Sequence, residues 1–117
     1  LIVRSAVKER GGLLDEVNFG GMYGEDIDWC YRLRQAGWEI WYAPDAVIVH
    51  TESASPMDGR SVQVYRGFYR FCALHYPPGK QQAIRTATWL ALAPRRLLTT
   101  NPERRALYGQ LMDLPVQ

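Results

Sequence analysis

The sequence predicts an α/β chain, a few strands interleaved with helices and then a helical tail. Two patterns predict it. Short runs rich in β-branched and aromatic residues, Leu1-Ile2-Val3, Trp38 to Tyr42 and Ala46 to His50, read as strands. Apolar residues at helical spacing over 25–36 and 61–75 read as amphipathic helices, and from Lys80 to Asp113 the pattern is helical throughout. A length of 117 residues suits one compact domain. The 47% hydrophobic and 22% charged content is that of a globular chain and argues against disorder.

Taken in order, Ser5 to Arg10 reads as a helical turn stopped by Gly11-Gly12, and the Gly-rich stretch up to Gly24 reads as loop. Glu25 to Ala36 is the best helix of the first half. Trp29, Cys30, Leu33 and Ala36 form its apolar face, and Asp28, Arg32 and Gln35 the opposite one, with Asp28 and Arg32 spaced to pair across a turn. Gly37 supplies its stop. After the two strands, Thr51 to Gly59 is polar loop. Ser61 to His75 is then a helix, with Val64, Tyr65, Phe68, Phe71, Cys72 and His75 on one side and Gln63, Arg66 and Arg70 on the other. Pro77-Pro78-Gly79 ends it. The tail reads as two helices broken at Pro94 and at Thr99 to Pro102, with Asn101 as N-cap and Pro102 in the first turn of the last one.

Charge is unevenly spread. Residues 1–58 hold five Lys/Arg against ten Asp/Glu, and residues 59–117 hold nine against two. The split suggests an acidic site in the first half and a surface for anionic partners in the second. Two cysteines, Cys30 and Cys72, have no metal-type spacing and read as reduced core thiols of a cytoplasmic protein. No apolar run approaches the roughly 18 residues of a membrane span. A β-branched run at residue 1, without an initiator Met or a signal-peptide pattern, suggests a piece of a longer protein.

The candidate chemistry lies in the first half. Asp26 sits three and four residues before Trp29 and Cys30, at the head of the apolar face and in the first helical turn. The helix dipole favours its ionised form, and a partly desolvated carboxylate kept ionised can act as a general base. Glu25 and Asp26 read equally as a helix cap. His50, at a strand end beside a polar loop, reads as a metal ligand or as an ordinary satisfied histidine. His75 reads only as part of its helix's apolar stripe.

In order and spacing, several segments resemble the bacterial family 2 glycosyltransferases, in particular rhamnosyltransferase-like members. They are Gly11-Gly12-Leu13-Leu14-Asp15-Glu16, Gly24-Glu25-Asp26-Ile27-Asp28, Arg32-Leu33-Arg34-Gln35-Ala36-Gly37-Trp38, Pro44 and Val49-His50, followed by the aromatic and basic run from Tyr65 to Pro77. The resemblance covers residues 1 to about 78. It implies the C-terminal part of a GT-A-type nucleotide-sugar transferase fold. On that basis 1–78 is the acceptor-side part of the catalytic domain and 79–117 a helical C-terminal extension.

The activity implied is inverting transfer of a sugar from a nucleotide-sugar to a glycan or lipid-linked acceptor, as in cell-wall or polysaccharide biosynthesis. Asp26 stands where the family has its general base, with Glu25 shaping the site and Trp29 lining the acceptor side. His50 stands where a histidine completes coordination of Mn²⁺ or Mg²⁺. The family's DxD metal motif has no counterpart here. Asp26 and Asp28 fall on opposite faces of a helix and could not chelate one cation. The chain by itself is therefore expected to be inactive, with the donor-binding half upstream.

In the tail, Arg85, Arg95, Arg96, Arg104 and Arg105 accompany Trp89, Leu90, Leu92, Leu97 and Leu98. This reads either as basic amphipathic helices lying on the inner face of the cytoplasmic membrane or as packed helices with solvated arginines. No recognition motif supports nucleic acid as a partner. Strands cut from a larger sheet would expose an edge, which suggests a homodimer of the isolated piece. The alternative to an enzyme fragment is a non-catalytic carbohydrate- or protein-binding module, with Trp38, Trp41 and Tyr42 as its contacts.

Overall fold

The computed structural model describes residues 12–20, 23–47, 49 and 57–115. Among these residues five helices follow one another: α1 (Glu16–Phe19), α2 (Glu25–Gln35), α3 (Met57–His75), α4 (Pro78–Leu98) and α5 (Pro102–Met112). No strand occurs among the described residues.

The expected α/β class, a portion of a GT-A-type fold, is therefore corrected to a helical one. Residues 38–42 are non-helical chain without a strand ladder, and so are the described positions 46, 47 and 49 of the second expected strand. Alternating aromatic and β-branched residues describe a chain that fits a pleated, half-buried surface, and without a sheet they specify nothing. Ile40, Trp41, Tyr42, Val47 and Val49 stand exposed here, with no sheet to cover them. The opening strand at Leu1, the turn from Ser5 to Arg10, His50 and most of the loop from Thr51 lie outside the described residues.

Local chemistry accounts for the helix ends. Asp15 caps α1 by accepting from the Asn18 backbone N–H at 2.9 Å and from its side-chain amide at 2.7 Å. These bonds hold the Asp15 carboxyl below its ordinary value. Together with burial of Phe19 they convert part of the expected loop into one helical turn. At the end of α2, Gly37 takes φ +87, Trp38 N–H donates to Leu33 O at 3.0 Å, and Gly37 N–H to Arg34 O at 3.0 Å. This pair of bonds is a Schellman closure, and it needs a residue tolerant of positive φ. Asn101 accepts from the N–H groups of Glu103 and Arg104, capping α5 as its sequence predicts.

Pro94 does not break α4, contrary to expectation. Pro94 and Leu90 both lie on the exposed side of α4, where a carbonyl left without its i+4 donor costs least. Pro78 acts as a start signal as well as a stop, since it occupies the first turn of α4.

α3 is the central element, packed on two sides. Its Tyr69 joins Leu92 of α4 and Leu111 and Leu114 at the far end, so one core spans both expected segments of the chain. Its Phe71 and Cys72 meet Phe19 of α1, with Tyr31 and Tyr76 at the margin. The expected single stripe on α3 is thus replaced by two, and Phe68 and Val64 are left partly exposed between them. Burial pushes the Cys72 thiol up, as suits an inert core cysteine.

α3 meets the start of α2 by backbone contact. A Cβ on Gly67 would overlap the Tyr23 carbonyl, and one on Gly24 would lie 3.2 Å from the Gly67 backbone. Replacing Gly67 by Ala should therefore force α2 and α3 apart. The expected loss is about 3 kcal/mol or more, beyond the usual range for overpacking, measured by urea unfolding followed by circular dichroism.

Candidate functional site

The first turn of α2 carries Glu25, Asp26 and Asp28. It starts at Gly24, whose φ of +115 lets the chain turn into the helix with no side-chain cap. Glu25 and Asp26 therefore do not supply the N-cap, although their charges complement the helix dipole.

The three carboxylates have different surroundings. Asp26 is exposed, and one oxygen accepts from the Ile27 N–H at 2.9 Å. It borders a cleft of about 450 Å³ between α2, α3 and α4, walled by Tyr23, Tyr65 and Phe68 together with Val64 and Thr88. Glu25 borders a different hollow, with Leu14, Glu16 and Phe19. Its Oε2 is buried and has no hydrogen-bond partner. The expected pairing of Glu25 with Asp26 in one site is thus not seen, because adjacent helical positions diverge by about 100°.

Asp28 is the buried one, at 1% exposure. The expected polar outer face of α2 is in fact turned towards α3. Arg32 Nε donates to Asp28 Oδ2 at 2.7 Å, the one-turn pairing its spacing predicts. His75 Nε2 lies 2.6 Å from Oδ1 and donates to it, since a carboxylate can only accept. The Tyr31 and Phe71 rings flank the imidazole with centroids at 4.5 and 4.8 Å. His75 had only its place on an apolar stripe to mark it. Asp28 lies 47 residues away, and no local pattern could have joined them.

Trp29 does not line the Asp26 cleft. It is half-buried, and its Nε1 donates to Gly12 O at 3.1 Å. Arg32 donates to Leu13 O at 2.7 Å alongside, so the two side chains tie residues 12–13 to α2. A further hollow of about 590 Å³ between α1 and α3 is lined by Asn18, Arg66 and Arg70, with Arg70 donating to Asn18 Oδ1.

The cation implied by the resemblance depends on His50, which lies outside the described residues. Among the described residues no group of three His, Cys, Asp or Glu could hold a metal ion. Asp26 and Asp28, one exposed and one buried, do not converge on a common point.

Truncating Asp28 to Ala would leave His75 and Arg32 facing a vacated interior. The expected cost is about 1–3 kcal/mol, the range for leaving a buried donor such as His75 Nε2 without its acceptor, read from the urea midpoint at constant slope. Asp26→Ala should stay within about 0.5 kcal/mol in the same measurement, as an exposed side chain.

No family model, curated protein or solved structure matches the chain.

Proposed function

We propose that this chain is the acceptor-binding and catalytic-base portion of an inverting glycosyltransferase that moves a sugar from a nucleotide-sugar to a glycan or lipid-linked acceptor. The observation that carries the reading is the Asp26 carboxylate, exposed at the first turn of α2 on the rim of an aromatic-walled cleft. The order of motifs around it, from Gly11 to Pro77, supports the same reading.

In this reading the cleft holds the acceptor. Tyr23, Tyr65 and Phe68 offer ring faces to the apolar face of a sugar or to a lipid-proximal segment. Asp26 takes the proton from the acceptor hydroxyl. The oxygen forms a bond to the anomeric carbon as the bond from that carbon to the diphosphate oxygen breaks, and the nucleoside diphosphate leaves with the electron pair. Attack from the side opposite the leaving group inverts the centre. The donor-binding half belongs to a further segment of polypeptide. The resemblance brings Mn²⁺ or Mg²⁺ with it, and no step is derived through the metal because the described residues supply no ligand set. Glu25 and Trp29 act behind the cleft, on the loop that precedes α2.

A second reading is favoured by a separate observation. Trp41 and Tyr42 are 82% and 87% exposed on the segment after α2, as contact residues of a carbohydrate- or protein-binding module would be. The same apolar surface, in place of the expected sheet edge, would serve a homodimer.

The decisive measurement is sugar-nucleotide turnover by the transferase that contains this chain, wild type against Asp26→Asn. The expected loss is about a hundredfold or more with donor binding retained, the scale of a general base. Near-normal turnover would reduce Asp26 to a helix-dipole partner. For the second reading, titration of the chain with oligosaccharides should give saturable quenching of tryptophan fluorescence that Trp41→Ala abolishes. Absence of any change on titration would dismiss the module.

A further inference from the structure

α4 has an apolar side that stands exposed, with no described helix packed over it. Its inner side packs through Leu92 and Ile84 onto the cores around Tyr69 and Phe71. Its outer side carries Trp89, Leu90, Leu97 and Leu98, which are 51%, 61%, 80% and 82% exposed. At about 100° per residue, Trp89, Leu97 and Leu90 share an arc of about 100°, and Pro94 and Leu98 extend it to about 180°. Within that arc the helix places Gln82, Thr86, Ala83, Ala87 and Ala93 between the large side chains, and no charged residue from position 81 onward.

The charges stand at its margins. Arg85 flanks Trp89 on one side. Arg96, beside it on the helix, is exposed but lays its guanidinium near Gly109 of α5, and Arg95 lines a hollow with Glu103 at the α4–α5 junction. Arg105 donates to Thr99 O at 2.8 Å, which holds a further guanidinium against the end of α4. Glu103 and Asp113 are the only acidic residues after position 58.

We propose that the outer face of α4 docks on an anionic lipid bilayer, lying in the plane of the interface. Exposed leucines and a tryptophan bordered by arginines match a surface that is apolar below and negatively charged above. The sign of the margins selects lipid over a second copy of the chain. A two-fold pairing through this face would bring its basic margins together. Attraction of Arg95 and Arg96 to the helix C-terminus accounts for those two charges but leaves four large apolar side chains in water. No helix among the described residues is long and apolar enough to cross a membrane, and the packed inner side of α4 keeps it at the surface. Docking on this face does not depend on the reaction proposed above, although it would bring the chain to a lipid-linked acceptor.

The test is co-sedimentation of the full chain with vesicles of phosphatidylcholine containing about one-third phosphatidylglycerol, against phosphatidylcholine alone. Binding to the anionic vesicles should be at least about tenfold tighter and should weaken in high salt. Brominated lipid should quench tryptophan fluorescence, and Trp89→Phe should remove most of that quenching. The double substitution Leu97→Asp and Leu98→Asp should weaken binding by about tenfold or more with helicity unchanged, because both side chains are exposed. Equal affinity for the two vesicle types would overturn the proposal, as would quenching that survives Trp89→Phe. So would a lipid-free dimer that the double substitution dissociates, which would assign the face to a second copy.

Discussion

A buried carboxylate holds the two halves of this molecule in register. Asp28 has essentially no exposure, so its charge is tolerable only while both oxygens are occupied, one by Arg32 from its own helix and one by His75 from α3. The first contact is local and would form in an isolated helix. The second fixes how α2 lies along α3, and with it the Tyr23-Gly24 turn against Gly67 and the cleft that Asp26 borders. Hydrophobic contact alone would hold these helices together less specifically, since Tyr31, Phe71 and Tyr76 could slide where a two-point hydrogen bond cannot.

Much of the helical part was legible because its signals are local. The start of α2 at Glu25, the Gly37 stop and the Asn101-Pro102 start of α5 each rest on one or two residues whose backbone chemistry permits few alternatives. The expected strands rested on composition alone, and a strand is completed by a neighbour that the described chain does not supply. Pro94 misled for a related reason: the cost of a proline inside a helix depends on whether the freed carbonyl meets water, and that is a property of the packing.

The faces of α2 are arranged otherwise than its periodicity predicts. Helical periodicity identified the groups of α2 that share a side, yet it ranked those sides by apolarity. Trp29 and Cys30 are only half-buried, while the side bearing Asp28 meets α3. A charged residue can lie inward when its partner comes from a distant helix, and His75 is such a partner. Asp26, expected to face the interior or a cleft and to be partly desolvated, does border a cleft but stands exposed there.

The backbone contact at Gly67 has a consequence for variation of the cleft. The cleft is lined in part by the Tyr23-Gly24 turn, which lies against the Gly67 main chain and, at Gly24, also against the Phe19 ring. A side chain at Gly67 would have to displace that turn, and one at Gly24 would be tight against the Gly67 backbone and Phe19 at 3.2 Å on a backbone with φ +115. Changes in what the cleft admits must come from its walls, at Val64, Phe68 and Thr88, where side chains project from intact helices. The cleft thus joins a backbone contact at Gly67 that has no room for a side chain to wall positions that can be exchanged without moving a helix.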